Sequence, residues 1–239
     1  MSTDESYNHI VALCEGKLDK YFLKEVTRRL YLRAKALNEG REGYRQLQQL
    51  LRRLDPRREP IVIIFPGGSL QKLAGTWLHR VVNCVIDINR YARTHLVKVL
   101  AFVDQHDAPS PAGRADLMVR CTINSLRALW SSYKPSLRLR NSISSRSSNH
   151  IDKLIGRDKN PYAKTTLRVV AVDCCLECEL LRILEGKVIF NEGLCHKRLR
   201  EEIKKRRGYP QLVSVALDIL ERSSPQPLWY YWLKEFMRR

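Results

Sequence analysis

A short apolar run enclosed by helix-breaking residues constrains the fold most. Residues 61–65 read Ile-Val-Ile-Ile-Phe, with Pro60 before them and Pro66-Gly67-Gly68 after them. Because proline and glycine interrupt helices, a run of this length is typical of a β-strand. The run contains no polar residue, and this lack of alternation predicts a strand that is buried on both faces.

Similar runs recur along the chain and alternate with helical patterns. This alternation predicts an α/β fold, with a small sheet layered against helices. An all-α fold is the alternative, because a short apolar run can also be part of a buried helix. The predicted strands are residues 61–65, 96–103, 167–172 and 187–190. The predicted helices are residues 69–93, 114–133, 174–184, 195–207, 210–222 and 228–236.

The first part of the chain has a helical pattern. Ile10, Cys14, Leu18 and Phe22 follow one another at intervals of four residues, and apolar residues with helical spacing continue to about residue 54. We therefore predict a helical N-terminal segment over residues 1–58 and an α/β domain over 59–239. Within that domain, residues 134–164 have a centre rich in Ser and Arg, which predicts a mobile loop or a boundary.

The charge of the chain predicts a polyanionic partner. There are 43 Lys and Arg residues against 25 Asp and Glu, a net charge of +18. The excess is concentrated in two places. The first basic cluster contains Lys134, Arg138, Arg140, Arg146, Lys153, Arg157, Lys159, Lys164 and Arg168. The second basic cluster contains Lys197, Arg198, Arg200, Lys204, Lys205, Arg206 and Arg207.

Tyrosines accompany both clusters, as Tyr133, Tyr162 and Tyr209 show. Basic residues that bind phosphate, with rings that stack on bases, are typical of single-strand binding. We expect nucleic-acid binding, with RNA or single strands favoured, in a nucleoprotein complex. An adaptor that binds an acidic protein surface is the alternative. The residues predicted to bind nucleic acid are Lys134, Arg138, Arg140, Arg146, Lys197, Arg198, Arg200, Lys204, Lys205, Arg206, Arg207, Tyr133 and Tyr209.

Four residues form the only candidate metal site of the sequence. Cys175 and Cys178 are a Cys-x-x-Cys pair, and Cys195 and His196 follow. These could supply the four ligands of zinc, although adjacent Cys195 and His196 are an awkward pair to bring to one ion. The alternative is that the cysteines are small buried core residues. No other cofactor is predicted.

An enzyme is the third alternative. The order of the 61–65 strand, the Gly67-Gly68-Ser69 turn and the strand ending at Asp104 resembles that of SGNH-type hydrolases. Their Gly-Asp-Ser nucleophile block and Asp-x-x-His pair have no counterpart here. A hydrolase-like α/β enzyme would need a base such as His95, His106 or His150 near a nucleophile. The same turn could bind phosphate through bare N–H groups, or it could be a tight connection only.

Location and association are predicted from the remaining features. No apolar run approaches the ~20 residues of a membrane span, and the polar start does not resemble a signal peptide. Seven cysteines with irregular spacing then favour the nucleus or cytoplasm over secretion. The aromatic end, Trp229 to Phe236, predicts a helix that folds back onto the domain or docks on a partner.

Overall fold

The computed structural model describes residues 9–55, 59–105, 108, 110–133, 139–146, 149–157, 160–186 and 192–238; for 132–133, 139–146 and 192–193 only the backbone is described. It is a seven-stranded sheet with helices on both faces, which confirms the predicted α/β class. The strands are β1 (His9–Cys14), β2 (Arg33–Ala36), β3 (Ile61–Pro66), β4 (Val97–Asp104), β5 (Leu139–Arg146), β6 (His150–Arg157) and β7 (Lys164–Val172). The helices are α1 (Lys17–Arg29), α2 (Gly40–Leu51), α3 (Leu70–Lys72), α4 (Leu78–Ala92), α5 (Pro111–Tyr133), α6 (Leu176–Glu185), α7 (Glu192–Lys205), α8 (Tyr209–Arg222) and α9 (Leu228–Arg238), and a π-helical turn, Leu73–Trp77, joins α3 to α4.

Five parallel strands form the larger part of the sheet, in the order β2-β3-β1-β4-β7. β1 is central, because Val11 lies opposite Ile63 of β3 on one side and Val99 of β4 on the other. β6 pairs with β7 in the antiparallel direction and β5 pairs with β6, which extends one side of the sheet. The five parallel strands all end at the same edge of the sheet, which we call the carboxyl edge.

Two apolar layers hold the helices against the sheet. One face is covered by α2, α4 and α5, and the other by α1, α6, α7, α8 and α9. Every residue of β1 and β4 is buried, including Lys98, so neither strand shows alternation. The prediction that residues 61–65 form a doubly buried strand is confirmed in β3.

The predicted helical N-terminal segment is wrong. Residues 9–14 form β1, the central strand, and residues 33–36 form β2, so this part of the chain belongs to the α/β domain itself. The physical reason is that a strand buried on both faces has no polar alternation, and its apolar residues also satisfy a helical spacing. The helical pattern is correct further on, where Leu18 and Phe22 lie on the buried side of α1.

The predicted loop at residues 134–164 is also wrong in its structured part. Residues 139–146 and 150–157 are β5 and β6, which pair with a register irregularity between Ile143 and Ser145. Serine-rich segments resemble loops in sequence, and β5 lies at the edge of the sheet, where it pairs with β6. The strand predicted at 187–190 lies outside the described residues.

The C-terminal aromatic helix folds back onto the domain, as one of the two alternatives predicted. Trp229 and Tyr230 are fully buried, and Phe22 of α1 and Phe102 of β4 contact Trp229. Arg168 of β7 donates to the Trp232 carbonyl and ties this helix to the sheet. None of the described helices combines the length and the apolar character that crossing a membrane requires.

Candidate functional site

Four acidic side chains gather at the carboxyl edge. Glu15 directly follows β1, and Asp104 ends β4, the strand beside it. Asp19 lies in the first turn of α1 and Glu177 in the first turn of α6. Neighbouring parallel strands end side by side, and the helices that follow them begin there. We call Glu15, Asp19, Asp104 and Glu177 the carboxylate cluster.

Backbone N–H groups fix the positions of these carboxylates. The N–H of Asp104 donates to Glu15 Oε1 (3.1 Å), and the N–H of Leu176 donates to Asp104 Oδ1 (2.9 Å). The N–H of Gly16 donates to Asp19 Oδ2 (2.6 Å). Three of the four carboxylates, those of Glu15, Asp19 and Asp104, are therefore held by backbone N–H groups at the ends of β1 and β4 and the first turns of α1 and α6.

Burial and mutual repulsion raise the pKa values within the cluster. Asp19 and Asp104 are each 7% exposed. Burial, followed by the charges of Glu177 and Glu15, raises the pKa of Asp19 to about 7. Burial, followed by the charges of Asp19, Glu15 and Glu177, raises the pKa of Asp104 well above its usual range. A hard cation bound by these oxygens would offset the repulsion, and Mg²⁺ prefers such ligands.

The connections that follow β1 and β4 leave the sheet on opposite faces. The chain leaves β1 through α1 on one face and leaves β4 through α5 on the opposite face. In open α/β sheets, ligands bind in the crevice that forms outside strand ends where neighbouring connections diverge. The carboxylate cluster lies at the ends of β1 and β4, where these connections diverge.

The sequence alone does not indicate this cluster. A helical interpretation of residues 1–58 places Glu15 and Asp19 on a helix, and Asp104 enters only as the end of a strand. The available signal is the Glu15-Gly16 pair at the end of the apolar run 10–14, which parallels the Pro66-Gly67-Gly68 turn after residues 61–65.

Three thiols lie beside the carboxylate cluster. The Sγ atoms of Cys174, Cys175 and Cys178 are all within 4.8 Å of one another, so this thiol cluster could hold a metal ion. Cys175 is the N-cap of α6, and its Sγ accepts the N–H of Cys178 at 3.3 Å. The N–H of Cys174 donates to Gln105 Oε1 (3.2 Å), next to Asp104. The two clusters therefore share the first turn of α6.

The two other predicted zinc ligands lie differently. Cys195 on α7 is fully buried, and its Sγ is 2.7 Å from the Sγ of Cys178. The next residue, His196, is exposed. Cys174, which is not in the set predicted from sequence, is exposed but belongs to the thiol cluster. Burial raises the pKa of Cys175 to about 12 and also raises that of Cys178, so both are neutral thiols at neutral pH without a metal.

The second basic cluster occupies α7 and the turn after it. Arg198 pairs with Glu185 (2.9 Å), while Lys205 and Arg206 both pair with Glu202. These pairs fit the ordinary stabilisation of a surface helix. The exposed basic side chains of this segment are Lys197, Arg200, Lys204, Lys205 and Arg207.

An aromatic contact joins the end of this basic segment to α1, the helix that contains Asp19 of the carboxylate cluster. Tyr209, which begins α8, stacks on Tyr21 of α1 with ring centroids 5.6 Å apart. The Nζ of Lys17 lies 5.5 Å from the centre of the Tyr209 ring. Lys17 follows the Glu15-Gly16 pair in sequence, so the start of α8 contacts the first turn of the helix that contains Asp19.

The first basic cluster is largely structural where its side chains are described. Arg168 is 4% exposed, pairs with Asp152 at 2.5 Å and also binds Glu235. Arg157 pairs with Asp87. Lys134, Arg138 and Lys159 lie outside the described residues, as do the side chains of Tyr133, Arg140 and Arg146.

The Gly67-Gly68-Ser69 turn is a packed connection. The N–H of Gly67 donates to the carbonyl of Cys14 (2.8 Å), and a Cβ added at Gly67 would lie 2.5 Å from Leu73 Cδ1. Gly68 has φ +85°, in the left-handed region that favours glycine. Ser69 is at the carboxyl edge, whereas His95 precedes β4 at the opposite edge, so the two do not form a nucleophile and base pair.

The remaining candidate bases give no support to a serine hydrolase. His150 is buried and its ring packs on Trp232, with centroids 4.0 Å apart. His106 lies outside the described residues.

Comparison with known proteins gives little further information. No protein-family model matches the chain, and no curated protein matches it either. Among solved structures, a de novo designed protein with a P-loop NTPase fold is similar over 54% of this chain and 93% of its own, with 10% identity and a TM-score of 0.32.

Proposed function

We propose that the protein binds nucleic acid and hydrolyses its phosphodiester bonds with a divalent cation held by the carboxylate cluster. The observation that carries this proposal is the burial of Asp19 and Asp104 together, beside Glu15 and Glu177, in a chain with a net charge of +18. Mutually repelling buried acids are costly to keep without a cation. A strongly basic protein also attracts a substrate that carries phosphate.

The residues divide into two roles. Asp19 and Asp104 would hold the cation together with water molecules, beside the charge of Glu15. The bound cation would offset negative charge on phosphate and lower the pKa of a bound water. The exposed Lys17, with Lys204 and Arg207 of the second basic cluster, would bind flanking phosphates with little sequence specificity. RNA or a single strand is favoured over duplex DNA because tyrosines are interleaved with the basic residues in the sequence. Tyr209 already stacks on Tyr21 and lies under Lys17, so a base that stacks on it would have to displace Lys17.

Cleavage of labelled single-stranded RNA and DNA with Mg²⁺, Mn²⁺ or EDTA tests the reaction. We expect cleavage with the cations, and a loss of roughly 100-fold or more in Asp104→Asn and Glu15→Gln. Both variants should still bind the oligonucleotide in EDTA. Asp116→Asn removes a surface carboxylate that pairs with Arg120 and serves as the control. Full cleavage by the Asp104→Asn variant would overturn the catalytic part of the proposal.

Polyanion binding across a salt series tests the basic surface separately. Changing Lys204, Lys205, Arg206 and Arg207 to Glu should weaken oligonucleotide binding by orders of magnitude and reduce the salt slope by roughly 0.7 for each phosphate that is no longer bound. The matched control reverses four exposed arginines around α2: Arg41, Arg45, Arg52 and Arg53. Equally weakened binding in both variants would assign binding to net charge alone. Binding to an acidic polypeptide without binding to nucleic acid would favour the adaptor alternative.

We also propose zinc as the metal of the thiol cluster. The supporting observation is the Cys-x-x-Cys turn, in which Cys175 Sγ accepts a backbone N–H and three sulfurs converge. Sulfur ligands favour zinc over harder cations. Elemental analysis of the purified protein should find about one zinc per chain, and none in Cys175→Ser and Cys178→Ser. Wild-type protein without zinc, even after incubation with it under reducing conditions, would contradict this assignment.

A further inference from the structure

We propose that Cys195 is the fourth ligand of the zinc site, so that the metal fastens the basic helix α7 to the turn between β7 and α6. This inference rests on the proposed zinc site and names its missing ligand. Cys174, Cys175 and Cys178 all come from one turn, and a closed structural zinc site has four ligands in a tetrahedron. Cys195 is the residue from a different element whose sulfur reaches this group.

The sulfurs of Cys178 and Cys195 are in contact and would have to separate when the metal binds. Zinc–sulfur bonds of about 2.3 Å in a tetrahedron place two sulfurs roughly 3.8 Å apart. The Sγ atoms of Cys178 and Cys195 are 2.7 Å apart, and those of Cys174, Cys175 and Cys178 lie within 4.8 Å of one another. Cys195 does not belong to the group within 4.8 Å, so its sulfur would have to move away from Cys178 and toward the other thiols for all four to form a tetrahedral site.

The helical phase of α7 selects Cys195 over His196. Successive residues of an α-helix point about 100° apart. Cys195 is fully buried against the first turns of α6, and His196 is exposed. Adjacent ligands on one ion would need a distorted helix, and the structure places one of the two at the thiols.

The attachment of α7 explains what such a metal would do. Within the part of α7 whose side chains are described, Cys195 and Leu199 are the buried residues, and the others are polar or partly exposed. Outside this small apolar contact, Arg198 pairs with Glu185 of α6. A zinc–thiolate bond at Cys195 would supply the main fixed point for a helix that presents the exposed Lys197, Arg200, Lys204 and Lys205.

Metal substitution in paired variants tests the ligand. Wild-type protein and His196→Gln should bind one equivalent of Co²⁺ with the strong near-ultraviolet charge-transfer band of thiolate ligation. Cys195→Ser should show a weaker band, and its zinc affinity in a chelator competition should fall roughly 100-fold or more. Cys195→His keeps a ligand at this position, so it should retain zinc with a shifted cobalt spectrum even if Cys195→Ser folds poorly.

Limited trypsin digestion tests the consequence for α7 without nucleic acid. Removing zinc from the wild type should speed cleavage within residues 197–207, and Cys195→Ser should already be cleaved at that faster rate. Zinc bound equally well by Cys195→Ser would overturn the assignment of Cys195 while leaving the three-thiol site intact. A metal-free protein with a Cys178–Cys195 disulfide, seen as the loss of two hydrogens in the intact mass, would overturn both zinc proposals. Neither result depends on the carboxylate cluster.

Discussion

At the residue scale, the surroundings of Asp104 oppose the charged form of its carboxyl group. It is buried near three other carboxylates, and burial is the first cause of its raised pKa. Asp104→Asn keeps an Oδ1 acceptor for the N–H of Leu176 while removing the charge. In EDTA at pH 8 we expect the variant to melt roughly 2–8 °C above the wild type, because about 1–2 kcal/mol of repulsion is removed.

Magnesium should reverse the order of the Tm values of Asp104→Asn and the wild type. It should raise the Tm of the wild type, by linkage to the folded state, and leave that of Asp104→Asn almost unchanged. Asp116→Asn, at an exposed ion pair with Arg120, should change little in either buffer. A lower Tm in EDTA for Asp104→Asn, or an undiminished response to magnesium, would contradict a role for this carboxylate in cation binding.

Buried histidines predict a loss of stability in acid. His150 packs on Trp232, and burial, followed by the charge of Arg168, lowers its pKa below 6.5. At this histidine the unfolded chain therefore binds more protons than the folded protein, so its contribution to the unfolding free energy falls as the pH falls from about 7 to 5. Burial lowers the pKa values of His9 and His79 as well, and both act in the same direction. The raised pKa values of Asp19 and Asp104 act in the opposite direction, so the histidine contribution is measured as a difference between a variant and the wild type.

Urea titrations between pH 5 and 7.5 measure this dependence. Relative to the wild type, His150→Gln should lose less unfolding free energy between pH 7.5 and 5, while the contributions of the buried His9 and the partly exposed His79 remain. His196→Gln changes an exposed side chain and should keep the wild-type profile. Identical slopes for His150→Gln and the wild type would exclude His150 as a contributor.

At the scale of the element, α9 is an integral part of the core. Trp229 is fully buried against Phe22 and Phe102, so Trp229→Ala should cost about 3–5 kcal/mol and lower the Tm by roughly 6–20 °C. Tyr231→Ala removes a ring from the same helix that is 51% exposed, and it should cost less than about 1 kcal/mol. Thermal melts with an apolar dye compare the two. A normal Tm for Trp229→Ala would favour a helix that docks on a partner.

The predictability of each element depends on its burial. β3 could be predicted because Pro60 and Gly67 bound a run of the right length. β1 could not, because a strand buried on both faces has no alternation and Ile10 and Cys14 continue the spacing of the following helix. β5 was not predicted for the opposite reason: its sequence is rich in serine and arginine, and it therefore resembles a loop.

At the scale of the whole molecule, the candidate site is a product of topology. Glu15, Asp104 and Glu177 are separated by long stretches of chain, and they meet because β1, β4 and β7 end at one edge. When β1 is interpreted as a helix, the spacing of these three residues in the sequence does not indicate that they lie together. The Cys175 and Cys178 pair is visible as a local motif, but the choice between Cys195 and His196 requires the phase of α7.

The net charge of +18 predicts that the stability of the whole molecule depends on salt. Folding brings the positive charges together, and their repulsion opposes the compact state. Raising the salt from 0.01 to 0.1 M shortens the Debye length from about 30 to 10 Å, which screens this repulsion. We therefore expect the Tm, followed by circular dichroism, to rise by a few degrees over this range, and a short polyanion at low salt to have a similar effect.

Charge reversal separates repulsion from other effects of salt. The variant with Lys204, Lys205, Arg206 and Arg207 changed to Glu has a much lower net charge, so its Tm should depend less on salt. Sucrose, which stabilises compact states without screening, should raise the Tm of both proteins equally. A wild-type Tm that falls with salt would mean that attractive pairs, such as Arg29 with Asp218 and Glu221, outweigh the repulsion. The positive excess would then be offset within the folded chain, and a polyanion would no longer be needed to explain it.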